Sequence, residues 1–293
     1  MYPATFEYFA PTSLAEALSI LDRYEGEAKV LAGGQSLIPA MKLRVVAPAA
    51  LVDINRIEDL DTLAANGGGL RIGALVRHKT CERSTLLAGR YGVLGATAPQ
   101  VSDPIVRNRG TVCGSIAHAD PQGDWGASLL AIGADVVVQG SQGERTIALD
   151  DFLQGPFATV LQPGEIVTEV RVPDPGPSAG GTYLKLERKV GDFATAAVAV
   201  HVTLDDGVVA KAGIAFTGVG PRNARAVEAE QALAGKEPSD DAITTAARIA
   251  AGEAQPWADH RGSVEYKRNV VRVFTERGLR AAVAGARSGG GGS

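Results

Sequence analysis

Two glycine-bearing stretches carry residue types suited to holding a phosphate: Ala32-Gly33-Gly34-Gln35-Ser36-Leu37, and Arg107-Asn108-Arg109-Gly110-Thr111-Val112-Cys113-Gly114-Ser115. Adjacent glycines reach backbone angles closed to other residues, and without Cβ atoms their N–H groups approach an anion closely. The apolar run opening at Leu37 reads as a helix start, whose unpaired N–H groups and positive dipole end add to the attraction. A branched side chain at Gly33 or Gly34 is expected to fill room meant for phosphate oxygens. In the second stretch hydroxyls, glycines and the pair Arg107 and Arg109 precede a helix-like run over residues 124–132. Those arginines suit phosphate neutralisation or a solvated loop equally. A single Gly-Gly pair also marks a tight turn between buried elements, but two such loops suit a diphosphate held from both sides.

Hydrophobic periodicity supplies the elements that carry these loops. A strand over 5–9 is followed by a helix that Ser13 and Glu16 open as a capping box, with Leu14, Ala17, Leu18 and Leu21 on one face. A strand over 29–31 runs into the first loop, and another spans 50–54, giving a small α/β unit over 1–57. A second unit, 58–177, contains a strand at 70–75, helices near 78–87 and 92–100, and the helix from Asp124. Paired strands at 135–139 and 145–149 and a strand at 165–172 complete it. Pro173-Asp174-Pro175-Gly176-Pro177 then reads as a linker. In the third unit, 178–287, strands at 182–188, 195–204 and 208–217 form a meander, the last two joined by Asp205-Asp206-Gly207. Helices at 223–233, 240–253 and 264–283 follow, most simply covering one face of that sheet. The fold class is α+β. Residues 288–293 read as a flexible linker left by cloning.

Composition narrows the function classes. The chain has 293 residues, 45% of them hydrophobic, enough for a sizeable core. A net charge of −4 without basic blocks argues against nucleic acid. Two cysteines, Cys81 and Cys113, are too few for an iron–sulfur cluster or zinc site, and His78, His118, His201 and His260 show no paired ligand spacing. No metal is expected in this chain. No G-x-G-x-x-G follows a strand, and Gly235-Lys236 lacks the Ser or Thr of a P-loop. With no long apolar run and no charged-then-apolar leader, a soluble, cytoplasmic protein is expected.

Ala32-Gly33-Gly34-Gln35-Ser36-Leu37 with Met41-Lys42-Leu43-Arg44, then Arg107-Asn108-Arg109-Gly110-Thr111, then His118-Ala119-Asp120-Pro121, together resemble the FAD-binding medium subunits of the molybdenum hydroxylases. The similarity runs from residue 1 to about 285. It implies a two-subdomain FAD-binding domain of the PCMH (vanillyl-alcohol-oxidase-like) type, followed by a C-terminal domain of antiparallel sheet covered by helices. It further implies that Ala32, Gly33, Gly34, Gln35, Ser36 and Leu37 hold the FAD diphosphate, and that Thr111, Gly114 and Ser115 occupy phosphate- and ribityl-binding positions. Val101, Ala117, Asp124, Val167 and Lys185 match further flavin contacts. Asp124 suits a helix N-cap equally well. At Cys113 the family usually has glycine, and the thiol is read either as a small buried hydrophobe or as a redox group near flavin. Lys185 is implied to sit near the flavin, where a cation stabilises negative charge on the reduced ring.

The function implied is that of the FAD subunit of a heterotrimeric hydroxylase. A large subunit is then expected to carry the molybdenum cofactor and a small one [2Fe–2S] clusters, with electrons passing through FAD to an external acceptor in a dimer of heterotrimers. The alternatives are a self-sufficient flavin oxidase acting on a small organic substrate, and a nucleotide-binding scaffold without redox chemistry. The residues name neither the organic substrate nor the acceptor.

Overall fold

The computed structural model describes residues 2–289. The first unit contains β1 (Glu7–Phe9), α1 (Leu14–Arg23), β2 (Ala28–Leu31), α2 (Leu37–Lys42) and β3 (Ala50–Asp53). Its sheet is parallel in the order β1-β3-β2. Because β2 and β3 run the same way side by side, the loops leaving their carboxyl ends emerge together, the position where open α/β sheets take ligands. The first glycine loop and Asp53 therefore lie at one edge. Helix α1 starts where Ser13 Oγ accepts from Glu16 N–H at 3.2 Å. Glu16 reaches back to the N–H of Thr12 rather than to that of Ser13, one residue beyond the capping-box pattern.

The second unit runs through β4 (Leu63–Asn66), β5 (Gly69–Gly73), α3 (His78–Arg83), α4 (Gly92–Thr97), α5 (Pro104–Arg109), α6 (Val112–His118) and α7 (Asp124–Ile132). It continues with β6 (Asp135–Gly140), β7 (Gly143–Ala148), α8 (Leu149–Phe152), β8 (Leu153–Gly155), β9 (Ala158–Thr159) and β10 (Ile166–Pro173). Five strands form an antiparallel sheet ordered β4-β5-β10-β6-β7. The second glycine stretch, expected as a loop, is mostly two short helices, α5 and α6. Asp103 caps α5 with Pro104 at its first position, a recognisable helix-start signal. Helix α6 forms despite Gly114 because Thr111 caps it and Val112, Cys113 and Ile116 bury one face.

The third unit has β11 (Ala179–Leu186), β12 (Ala196–Asp205), β13 (Val208–Thr217), β14 (Ala224–Arg225), α9 (Val227–Leu233), α10 (Asp240–Glu253) and α11 (Val264–Gly289). The strands form an antiparallel sheet in chain order. Helices α9, α10 and α11 cover one face of the sheet, as expected, and the other face is buried against α7 of the second unit. Val198, Val200 and Val202 pack with Leu279 and Val283 of α11, whereas Ala197, Ala199 and Ala215 belong to the core that contains Trp125 and Leu129 of α7. The near-continuous apolar run of β12 signals burial on both faces. Sheet and α7 approach so closely that a Cβ at Gly213 would lie 1.7 Å from Ala131 O. The helix expected over 223–233 starts only at Val227, because the buried Asn223 amide is tied to Pro121 O, Gly123 O and Phe216 O. Helix α11 also takes in Ser288 and Gly289, so the expected linker does not begin at 288. The rest of that stretch, 290–293, lies outside the described residues.

Candidate functional site

The first glycine loop is a run of unused donors. Among the described residues, none of the N–H groups of Gly33, Gly34, Gln35, Ser36 and Leu37 donates a hydrogen bond to the chain's own backbone, although Gly34 O and Ser36 O already accept from α2. Buried or half-buried N–H groups rarely stay unpaired unless water or a ligand takes them. Gly34 turns the chain with a φ of +72°, which favours glycine. Ser36 sits at the N-cap of α2 without a side-chain capping bond, leaving its hydroxyl free of that duty.

The loop borders a pocket of about 320 Å³ lined by Leu31, Ala32, Gly33, Gly34, Gln35, Ile38, Pro39, Lys42, Asp53, Asn55 and Arg109. No ion pair within 4.0 Å involves Lys42 or Arg109 among the described residues, while Asp53 is already held by Tyr8 Oη at 2.6 Å and by Asn55 N–H at 2.9 Å. Those bonds hold the Asp53 carboxyl below its ordinary pKa against the opposing effect of its partial burial, the largest influence on it. Free amides with unpaired cations are the donor set that a diphosphate requires. The residues present therefore fit the phosphate end of FAD.

The room a side chain at Gly33 would take is not the ligand's. A Cβ there would stand 2.5 Å from Arg109 O and 2.7 Å from Gly110 Cα, so the two glycine stretches touch backbone to backbone. At Gly34 it would meet Leu31 and Ile38 side chains. This corrects the expectation that either side chain blocks phosphate directly.

The second stretch is less open than its composition suggests. Thr111 Oγ1 accepts from Gly114 N–H at 3.1 Å, so both are engaged in capping α6. Gly114 is nonetheless exposed, with Ser115 and Ala117 partly so. Arg107 is neither solvated nor turned to the pocket: it donates to Val101 O, Ser102 O and Glu82, fixing the turn before α5. His78 backs the stretch, with its N–H on Gly110 O and its Nδ1 accepting from Trp125 Nε1 at 3.0 Å. Burial, then Arg107 and Arg77, lowers its pKa to about 4, so the ring is neutral at pH 7. Cys113 faces the core, its thiol 3.3 Å from Ile72 O. Burial pushes that thiol's pKa far up and Cys81's to about 12, the opposite of a reactive thiolate. The buried-hydrophobe reading of Cys113 stands, and the redox reading falls.

Where the third unit meets the second, Asp124 and Lys185 come together, with Gln100, the residue before Val101, beside them. Lys185 Nζ donates to Gln100 O at 2.9 Å and pairs with Asp124 at 3.2 Å and Glu187 at 3.3 Å, its side chain 1% exposed. Asp124 also accepts from Tyr183 Oη at 2.7 Å. Asp124 is the first residue of α7 rather than its N-cap, which is Gly123. Burial outweighs these partners and raises its carboxyl pKa. Lys185 is thus compensated by two carboxylates instead of standing as a lone cation. Val167 lies apart in β10, buried opposite Val138. Asn55, Arg77 and Lys42 went unassigned in sequence; of these only Lys42 carried a signal, its place at the end of the motif after the first loop.

Among the described residues, no helix is long and apolar enough to cross a membrane, and no three His, Cys, Asp or Glu side chains stand together as a metal site. Residues 4–175 match the FAD binding domain in molybdopterin dehydrogenase, and residues 181–282 match the CO dehydrogenase flavoprotein C-terminal domain. The carbon monoxide dehydrogenase medium chain of Hydrogenophaga pseudoflava is 39% identical over 284 residues, covering 97% of this chain and 99% of that one. That of Afipia carboxidovorans is 36% identical over 288 residues, covering 98% and 100%. The solved carbon monoxide dehydrogenase from Hydrogenophaga pseudoflava lacking the Mo-pyranopterin moiety superposes with a TM-score of 0.93 at 41% identity, covering 97% and 99%.

Proposed function

The chain belongs to the FAD-binding medium subunits of the molybdenum hydroxylases, and on that footing we propose that it relays electrons from [2Fe–2S] clusters of a small partner subunit, through FAD, to an external acceptor. It is the flavoprotein part of a multi-subunit oxidoreductase. The partners in this reading are a large subunit with the molybdenum cofactor and a small iron–sulfur subunit, assembled in the cytoplasm as a dimer of heterotrimers. The observation that carries it is the run of unpaired N–H groups from Gly33 to Leu37 beside Lys42 and Arg109.

Bound FAD supplies the ability to take up electrons and pass them on, chemistry that belongs to the cofactor. The chain's residues bind and orient it. Ala32, Gly33, Gly34, Gln35, Ser36 and Leu37 hold the diphosphate, with Lys42 and Arg109 balancing its charge. Thr111, Gly114, Ser115 and Ala117 form the opposite wall, while Val101, Asp124 and Lys185 form the flavin end and Val167 a further contact. In this reading units 1–57 and 58–177 enclose the cofactor, and unit 178–287 closes it through the Lys185–Asp124 pair.

A dye-reduction assay tests the relay. The chain loaded with FAD alone is expected to oxidise no organic substrate, and to support dye reduction once its iron–sulfur and molybdenum partners are added. Substrate-dependent turnover by the isolated chain at the rate of the complex would instead favour the self-sufficient oxidase.

A further inference from the structure

We propose that Asn55 and Arg77 form a clasp that sets the distance between the two glycine stretches, making them positioning residues for the FAD diphosphate. The proposal rests on the FAD reading above and adds two residues to it. Asn55 lies in the 3-10 turn Ile54–Arg56 after β3, and its Nδ2 donates to Ala32 O at 2.8 Å, holding the first loop. Its Oδ1 accepts from Arg77 Nη2, and Arg77 Nη1 donates to Arg109 O, holding the second stretch. One amide and one guanidinium thus connect Ala32 to Arg109.

The clasp is anchored at both ends. Asp53 fixes Asn55 through its backbone N–H and its side chain, and is itself fixed by Tyr8. Arg77 precedes α3 and bridges to Thr111, while the neighbouring amides pair across the same seam: His78 N–H with Gly110 O at 3.0 Å and Val112 N–H with Val76 O at 3.2 Å. Arg109 O, the oxygen that Arg77 holds, is also the atom nearest a Cβ added at Gly33. Arg77 pulls from one side at the point where the loops touch.

Two features distinguish this from ordinary loop bracing. Arg77 spends its planar fork on two neutral oxygens and makes no ion pair within 4.0 Å among the described residues, the carboxylates that act on it, Asp53 and Asp61, lying beyond that distance. The bonds also end on Ala32 O and Arg109 O, and so leave the N–H groups of the first loop unpaired with backbone beside the pocket that Gly33, Gly34 and Gln35 line. Fixing donors before the ligand arrives lowers the ordering cost of binding.

The test titrates FAD into the apo-protein for wild type, Asn55→Ala, Arg77→Ala and the double variant, with Arg77→Lys as a milder change. It also records the phosphorus-31 spectrum and the visible band of FAD at saturation. Each Ala variant is expected to bind FAD at least tenfold more weakly, and the double variant no more weakly than the worse single, because each change opens the same clasp. Arg77→Lys, which keeps one of the two bonds, falls between. The two phosphorus signals shift while the visible band stays put. The inference is overturned by affinities within twofold of wild type, by additive losses, by unchanged phosphorus signals, or by a visible band that moves equally, which marks general loosening. Failure of wild type to bind FAD would strike the flavin reading instead.

Discussion

Gly33→Val is expected to cost about 1–3 kcal/mol of stability and at least about a hundredfold in FAD affinity. The first figure follows from overpacking. The new Cβ would press on backbone, Arg109 O at 2.5 Å and Gly110 Cα at 2.7 Å, and backbone cannot rotate aside as a side chain can. The loops must therefore part. Parting them moves the free N–H groups off a common target, and each charge-assisted bond so lost is worth about 1.5–3 kcal/mol. Two such losses account for the hundredfold. Gly67→Ala serves as a control, since a Cβ there meets nothing within 4 Å, and it should stay within about 0.5 kcal/mol. Calorimetric titration alongside a denaturant series separates the two effects, and Gly33→Val with wild-type affinity would detach the first loop from the site.

Lys185→Met should destabilise the chain by about 3–5 kcal/mol, the usual result of removing one partner from a buried ion pair. Lys185 is nearly completely enclosed and faces both Asp124 and Glu187. Without the ammonium, two carboxylates face each other in a site where only Tyr183 still donates to Asp124. The loss falls on the seam between the second and third units, so denaturant unfolding should begin there. Adding Asp124→Asn is expected to recover part of it, because a neutral amide needs no counter-ion. A cost below about 1 kcal/mol would mark the pair as solvent-screened. Burial also means that, at the proposed flavin end, Lys185 acts as part of a charge cluster with Asp124 and Glu187 that joins the units rather than as a lone cation.

How far this was legible in sequence depends on the range of the interactions. Gly33-Gly34 after a short apolar strand gave the cradle, because turn chemistry is local. Helices 124–132 and 240–253 and strand 208–217 were read to the residue, since caps and breakers bound them closely. Helices α5 and α6 were missed: Gly110 and Gly114 argued for a loop, and the capping roles of Asp103 and Thr111 were overlooked. The apolar run of β12 pointed to burial on both faces, but a strand's pattern does not say which elements cover it, so α7 on the second face was missed. Asn55 and Arg77 were invisible for a plainer reason. Their partners lie 23, 22 and 32 positions away, and no periodicity reports a side chain reaching a distant carbonyl. The similarity to the medium-subunit family carried the identity of the ligand, which the glycine loops alone left as any diphosphate.

The most direct measurement is the stoichiometry and release of flavin from the purified chain. The account predicts one FAD per chain, set free into the supernatant by acid precipitation and displaced competitively by ADP, since the free amides from Gly33 to Leu37 grip the diphosphate without a covalent bond. Yellow colour that stays with the precipitate, or a chain that takes up no FAD when titrated, would contradict it.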